Sequence, residues 1–182
     1  MRFRLIPHPA FPAPAGLVLG VECKFDSAGG LTICFDCDCE PSALLVPPPG
    51  NKVRTDELWR HTCGELFLAD RSGRYREFNF SPSGAWASYD FSAYRKRIEI
   101  LPEVSPPDLD FSLTPGGWKM WIRMLSGNTF GFDRIGLTAV IEAADTSLSY
   151  WAISHPEPNP DFHDPKGFSI PVTALGAATD KS

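Results

Sequence analysis

Residues 56–94 read DELWRHTCGELFLADRSGRYREFNFSPSGAWASYDFSAY, and this stretch decides the fold. Apolar and polar residues alternate from 64 to 69 and again from 75 to 80, with Ser72 and Gly73 between the two runs. Alternation with a period of two is typical of a strand, and Ser-Gly is typical of a tight turn. The stretch therefore predicts a β-hairpin.

The two faces of this hairpin differ in chemistry. One face is apolar and carries Leu66, Leu68, Phe78 and Phe80. The opposite face carries three polar side chains, Glu65, Glu77 and Asn79. An antiparallel sheet commonly packs one face on a core and leaves the other for solvent or a ligand. We therefore expect the second face to be the one available to a ligand.

Further alternating runs predict that the rest of the chain is also built from strands. They cover residues 17–25, 31–39, 118–125, 135–143, 148–154 and 168–172. Eighteen prolines and fifteen glycines suit a protein with many turns better than a helical one. Short strands at residues 3–5 and within residues 98–112 bring the total to about nine or ten, which predicts an all-β fold, a two-sheet antiparallel β-sandwich of jelly-roll type. A length of 182 residues suits one domain, residues 1–182.

Several motifs in residues 56–94 form a recognisable set. Trp59, Glu65 and Phe67 give W-x5-E-x-F, residues 75–78 give Y-x-E-F and residues 81–84 give S-P-x-G. This set resembles DOMON-like domains, a group that is similar to family 9 carbohydrate-binding modules. The resemblance returns at the C-terminus in Tyr150-Trp151 and in residues 160–165, PDFHDP. It implies a β-sandwich that binds a sugar between aromatic rings or, in other branches, binds haem.

The candidate binding residues follow from the chemistry of sugar recognition. Planar rings pack on the apolar faces of a pyranose, so useful tryptophans are partly exposed. Trp59, in a charged segment, and Trp151, before a proline-rich loop, fit this expectation and match the family positions that present ring walls. The predicted polar partners are Arg60, Glu65, Glu77, Asn79 and His163. We expect a non-catalytic domain with a small-molecule partner, a sugar, and no cofactor; the alternative is that all these aromatic residues are structural.

Three other functions compete with this interpretation. A haem or redox module needs axial ligands such as Met120 or Met124, but both share a strand face with Trp118, which favours core packing. A divalent metal site could use Asp161, His163, Asp164 and His155, although a role in fixing their loop is favoured. Glu65 and Glu77 could form a glycosidase-like pair, or each could form an ion pair with Arg76, Arg97 or Arg123. Whether the chain is an enzyme stays open.

Charge and composition exclude several classes of partner and suggest a location. The net charge of −5 gives no basic footprint for nucleic acid, and no apolar run approaches the roughly 20 residues of a membrane span. Prolines interrupt residues 1–16, so we expect no signal peptide and a cytoplasmic protein. Five cysteines suit reduced thiols. Cys34 points away from Cys37 and Cys39 in a strand, so we interpret these as small hydrophobic residues and not as zinc ligands.

Overall fold

The computed structural model describes residues 1–100, 102–129, 131–156 and 158–176. Twelve strands make up most of this part of the chain: β1 (Arg2–Pro7), β2 (Val18–Phe25), β3 (Leu31–Asp38), β4 (Cys63–Ala69), β5 (Tyr75–Phe80), β6 (Trp86–Ala93), β7 (Lys96–Arg97), β8 (Asp108–Thr114), β9 (Gly117–Met124), β10 (Arg134–Glu142), β11 (Leu148–Ala152) and β12 (Ile170–Pro171). The helical segments are short 3-10 turns at Pro41–Ala43, Leu58–Arg60, Ser126–Asn128, Pro165–Gly167 and Val172–Leu175. No helix in the described ranges has the length and apolar character needed to cross a membrane.

The strands form two antiparallel sheets that share one strand. The first sheet has the order β1-β2-β3-β9-β8, and the second has the order β7-β6-β5-β4-β10-β11, with β12 added to β10. The start of β1 pairs with β2, while Ile6 and Pro7 at its end pair with β11. The chain therefore passes from one sheet to the other within β1.

The main core lies between the two sheets. Alternate residues of β3 and β9 face inward from the first sheet, and Leu66, Leu68, Phe78 and Phe80 face inward from the second. Large apolar side chains fill this space because alternation gives each strand one apolar face, and burying such faces is the main favourable term in folding. The hairpin of β4 and β5 has the predicted register, with Leu66 opposite Phe78.

The predicted strands are confirmed, and two strands, β6 and β7, lay outside the prediction. β6, in the sequence WASYDFSA, was not assigned from its pattern, yet it pairs along its length with β5. Its outward side chains Tyr89 and Phe91 are buried. A second, smaller apolar cluster therefore covers the outer face of this sheet, and its members include Phe67, Tyr75, Tyr89, Phe91 and Phe168.

Candidate functional site

A cleft of about 700 Å³ lies on the outer face of the second sheet. Side chains of β4, β5, β6 and β10 form its floor, and the segments around Trp59 and His163 form its sides. It is the face that carries Glu65 and Glu77, as the alternation in the sequence predicted. Clefts of a few hundred to a thousand Å³ are the usual size for a small-molecule site.

The floor is built from rows of side chains that cross neighbouring strands. In one row, Phe67 of β4 lies opposite Glu77 of β5, which lies opposite Tyr89 of β6. In the next row, Glu65 lies opposite Asn79. Side chains directly opposite in antiparallel strands are about 5 Å apart, so each row forms a continuous strip. Glu77 is therefore flanked by an aromatic ring on either side.

Two pairs of stacked aromatic rings lie at one end of the floor. Tyr75 and Phe91 stack with ring centroids 4.6 Å apart, and Phe67 and Phe168 stack at 5.4 Å. Gly136 makes the second stack possible, since a Cβ atom there would lie 2.7 Å from Cδ1 of Phe168. The stack of Phe168 on Phe67 fixes the C-terminal segment that carries His163 against the sheet.

Trp59 stands at the rim of the cleft. It lies in the 3-10 turn Leu58–Arg60, and 44% of its surface is exposed. Leu58 packs on the aromatic cluster below and anchors the turn. The guanidinium group of Arg60 lies 5.4 Å from the Trp59 ring centroid and also binds Glu57 at 2.9 Å. Arg60 thus positions the ring from outside the cleft.

The opposite side of the cleft is held in place by Asp161. Its carboxylate accepts hydrogen bonds from the hydroxyl of Tyr94 at 2.5 Å and from the guanidinium of Arg95 at 2.9 Å. It also accepts one from the backbone N–H of His163 at 3.1 Å. These contacts join the segment after β6 to the C-terminal loop, and they hold the pKa of Asp161 below its usual value. Phe162 adds an apolar wall beside Tyr150, with ring centroids 6.0 Å apart.

His163 is a neutral imidazole with a defined tautomer. Burial, reinforced by the nearby charge of Arg95, lowers the pKa of His163 to about 4. The hydroxyl of Tyr75 accepts a hydrogen bond from the backbone N–H of Arg95 at 3.0 Å, so its single proton is available to Nδ1 of His163, 2.8 Å away. On this basis we assign the proton of His163 to Nε2, which lies 3.7 Å from Oε2 of Glu77. Because the ring is neutral, this contact is not an ion pair.

The two carboxyl groups of the floor are deeply buried. Glu65 is 3% exposed and Glu77 is 5% exposed. Burial, with a smaller contribution from Glu77, raises the pKa of Glu65 to about 8, and burial raises the pKa of Glu77 to about 7. Two such groups on one floor resist ionising together. At neutral pH, Glu65 and Glu77 are therefore not both fully ionised.

Each carboxyl group accepts one short hydrogen bond from a neutral side chain. The hydroxyl of Thr138 donates to Oε2 of Glu65 at 2.8 Å, and the side-chain amide of Asn79 donates to Oε1 of Glu77 at 2.6 Å. The other oxygen of Glu65 accepts a weak hydrogen bond from the thiol of Cys63, at 3.8 Å. In the described part of the chain, no lysine or arginine nitrogen lies within 4.0 Å of either carboxyl group.

The structure brings most of the predicted site residues to this cleft. Trp59, Glu65, Glu77 and His163 line it. Arg60 and Asn79 do not line it but hold Trp59 and Glu77 in place. None of these contacts tests whether the residues bind a ligand.

The prediction that Trp151 is an exposed wall of the site is wrong. Trp151 is 2% exposed, lies in the core between the sheets, and donates from Nε1 to the hydroxyl of Ser149 at 2.9 Å. Adjacent residues of a strand point to opposite faces, so its neighbour Tyr150 reaches the cleft instead.

Other lining residues escaped the sequence analysis. They include Asp56, Tyr89, Phe91, Arg95, Arg97, Tyr150, Pro160 and Phe162. Two of them would have followed from assigning β6, because Tyr89 and Phe91 alternate with Ser88 and Asp90. The hydroxyl of Tyr89 donates to Asp56 at 2.8 Å, and the guanidinium of Arg97 lies 4.1 Å from the Tyr89 ring centroid.

The predicted ion pairs of the two glutamates are also absent from the described residues. Arg76 binds Asp90 at 2.6 Å, and Arg123 binds Asp108 at 3.2 Å, so both guanidinium groups are engaged elsewhere. The charge of Arg97 acts on Glu77 only through space, where it lowers the pKa that burial raises.

The residues considered for a metal or haem have other roles. Asp161 binds Arg95, and Asp164 caps the turn Pro165–Gly167 by accepting from the backbone N–H of Lys166. Within the described ranges, no three His, Cys, Asp or Glu side chains are grouped to hold a metal ion. Met120 and Met124 are fully buried between the sheets.

Comparisons with known proteins support the fold. No protein-family model matches the sequence, and no curated protein matches it. Among solved structures, a candidate carbohydrate-binding protein from Bacteroides uniformis is similar, with 14% identity and a TM-score of 0.62 over 92% of this chain and 84% of that one. A family 9 carbohydrate-binding module from Caldicellulosiruptor kristjanssonii in complex with glucose has 9% identity and a TM-score of 0.51, over 82% and 73%. The predicted antiparallel β-sandwich is thereby confirmed.

Proposed function

We propose that the protein binds a small carbohydrate in the cleft on the outer face of its second sheet, without catalysing a reaction. The observation that carries this proposal is the combination of an exposed tryptophan ring at the rim with a hydrogen-bonding floor beneath it. Sugars present apolar C–H faces and a periphery of hydroxyl groups. A partly exposed ring suits the first, and fixed polar groups suit the second.

The floor and sides of the cleft offer both donors and acceptors to hydroxyl groups. Nε2–H of His163 and the guanidinium of Arg97 are donors, whereas the carboxyl oxygens of Glu65, Glu77 and Asp56 are acceptors. Thr138, Asn79 and Tyr89 hold these carboxyl groups in one orientation. Preorganised polar groups lose little freedom on binding, which favours affinity.

The structural neighbours support the same ligand class. One is described as a candidate carbohydrate-binding protein, and the other is a carbohydrate-binding module seen with glucose. The motifs W-x5-E-x-F and Y-x-E-F support a place among DOMON-like domains, and this finer assignment is part of the proposal. Trp59 and Glu65 of the first motif and Glu77 of the second motif line the cleft.

Calorimetric titration with mono- and oligosaccharides tests the proposal. We expect Trp59→Ala to weaken binding by about 1–3 kcal/mol, because the ring contributes mainly to ligand contact. The matched control is Trp121→Ala: that ring is 38% exposed but lies on the first sheet, away from the cleft. Loss of affinity in Trp121→Ala alone, or no binding by the intact protein to any sugar in the panel, would overturn the proposal.

A further inference from the structure

In the described part of the chain, no lysine or arginine lies within ion-pair distance of the two buried carboxyl groups of the floor, and this points to the charge of the ligand. Buried acidic groups in proteins are usually paired or keep a proton, because an isolated ionised carboxylate in a poorly solvated site is costly. Among the described residues, the hydrogen-bond donors to Glu65 and Glu77 are neutral, and the nearby imidazole is neutral as well. A positive group entering the cleft would supply the missing partner.

The surroundings of Glu77 also suit a cation. Phe67 and Tyr89 lie directly opposite it on the two neighbouring strands, and all three side chains line the cleft. Aromatic faces attract ammonium groups through their negative quadrupole. The row already holds one cation in this way, because the guanidinium of Arg97 lies 4.1 Å from the Tyr89 ring centroid. The attraction that remains for an amine ligand is therefore mainly the charge of Glu77.

We propose that the preferred ligand is an amino sugar whose ammonium group binds the Glu65–Glu77 pair between Phe67 and Tyr89. This inference rests on the proposed carbohydrate-binding function and narrows it to one class of sugar. An ammonium group donates up to three hydrogen bonds, whereas a hydroxyl group donates one. A hydroxyl group in the same place also brings no charge that would favour an ionised carboxylate.

An acidic sugar is disfavoured by the same contacts. Arg95 is bound to Asp161 at 2.9 Å, and Arg97 rests on the ring of Tyr89. A ligand carboxylate that approached Arg97 would share the cleft with Glu65 and Glu77, and like charges repel. The arginines thus shape the side of the cleft, while the glutamates dominate its floor.

Titration of the intact protein with three forms of one hexose tests the inference near neutral pH. The forms are the free amino sugar, its N-acetylated derivative, which lacks the charge, and the parent hexose. We expect the amino sugar to bind about tenfold more tightly than either neutral form, a difference of roughly 1.4 kcal/mol. If the neutral forms bind as tightly as the amino sugar, the inference is wrong while carbohydrate binding stands. If none of a broad panel binds, the proposed function itself fails.

Two variants identify the carboxyl groups responsible. In Glu77→Gln and in Glu65→Gln, we expect the affinity ratio of amino sugar to parent hexose to fall towards one, because each variant keeps the side-chain shape but can no longer ionise to pair with an ammonium group. Glu22→Gln removes the same charge from an exposed position on the first sheet and should keep the ratio of the unmodified protein. Thermal melting of each variant verifies that it is folded. A ratio unchanged in both floor variants would contradict the inference.

Discussion

The hydroxyl group of Tyr75 donates a hydrogen bond to Nδ1 of His163 over 2.8 Å and thereby selects the tautomer that presents Nε2–H towards Glu77. The pair joins β5 to the C-terminal loop across 88 residues of sequence. The same hydroxyl accepts from the backbone of Arg95, so one atom links three sides of the cleft. The orientation of His163 depends on this contact.

Replacing Tyr75 by Phe should disturb both partners of the hydroxyl group. The ring stack on Phe91 is retained, but the N–H of Arg95 and Nδ1 of His163 lose their partner. We expect a loss of about 1–3 kcal/mol in the free energy of unfolding, measured by urea denaturation. In the unmodified protein, ¹⁵N NMR of the His163 ring should show a neutral ring protonated at Nε2. A ring protonated at Nδ1 would contradict the arrangement.

The buried glutamates make stability depend on pH in a definite direction. Their pKa values are higher in the folded protein than the ordinary 4.5. The stability that they contribute is therefore fully present below about pH 4.5 and is lost as the pH rises through about 7 and 8. The folded state binds more protons there, so the free energy of unfolding should fall by up to about 1.4 kcal/mol per pH unit for each group. Denaturation between about pH 5 and pH 8 measures this slope.

A charge-free variant isolates the effect of one carboxyl group. Glu65→Gln should flatten the fall in stability over that pH range, whereas Glu22→Gln on the exposed first sheet should not. The control is needed because His163 changes the stability in the opposite direction. Burial lowers the pKa of His163 from the ordinary 6.5 to about 4, so the stability that it contributes is lost as the pH falls through this range. An unchanged slope in Glu65→Gln would show that Glu65 does not hold a proton.

Gly136 should be intolerant of even one methyl group. A Cβ atom there would meet the ring of Phe168 at 2.7 Å and Cβ of Phe67 at 3.3 Å. We expect Gly136→Ala to cost about 1–3 kcal/mol and to loosen the C-terminal segment that carries His163. Gly127→Ala is the control, because nothing lies within 4 Å of its added atom. Equal melting temperatures for the two variants would show that the stack adapts.

The tryptophans of the two predicted ring walls should now behave differently. Truncating the buried Trp151 to Ala leaves a cavity and should cost about 3–5 kcal/mol of stability. Truncating Trp59, which is 44% exposed, should change stability by less than about 1 kcal/mol. Chemical denaturation of both variants measures the difference. A Trp59→Ala protein as unstable as Trp151→Ala would mean that Trp59 is a structural residue.

Much of the floor could be predicted from the sequence because it depends on local periodicity. Alternation alone places Glu65, Glu77 and Asn79 on one face, and the structure confirms it. The prediction for Trp151 is wrong because it depends on the family motif. The alternation of side chains along the strand places Trp151 on the core face. Tyr150 and Trp151 are adjacent in one strand and point to opposite faces of the sheet, so Tyr150 lines the cleft and Trp151 lies in the core.

The sides of the cleft could not be predicted in this way, because they depend on contacts distant in sequence. Arg95 and Asp161 are 66 residues apart and meet only after the C-terminal loop folds onto the sheet. No period or motif marks such a pair. The burial of Glu65 and Glu77 was also unexpected, since the alternation that assigns a face does not reveal what covers it.

The central claim is that a sugar binds beside Trp59 in the cleft of the second sheet, and indole NMR signals test it most directly. The protein has five tryptophans, so titration with the tightest-binding sugar can be followed at five side-chain N–H signals. We expect the signal of Trp59 to shift progressively and saturably, while that of the exposed Trp121 on the first sheet stays in place. A titration that moves the signal of Trp121 but not that of Trp59, or that moves none, would contradict the account.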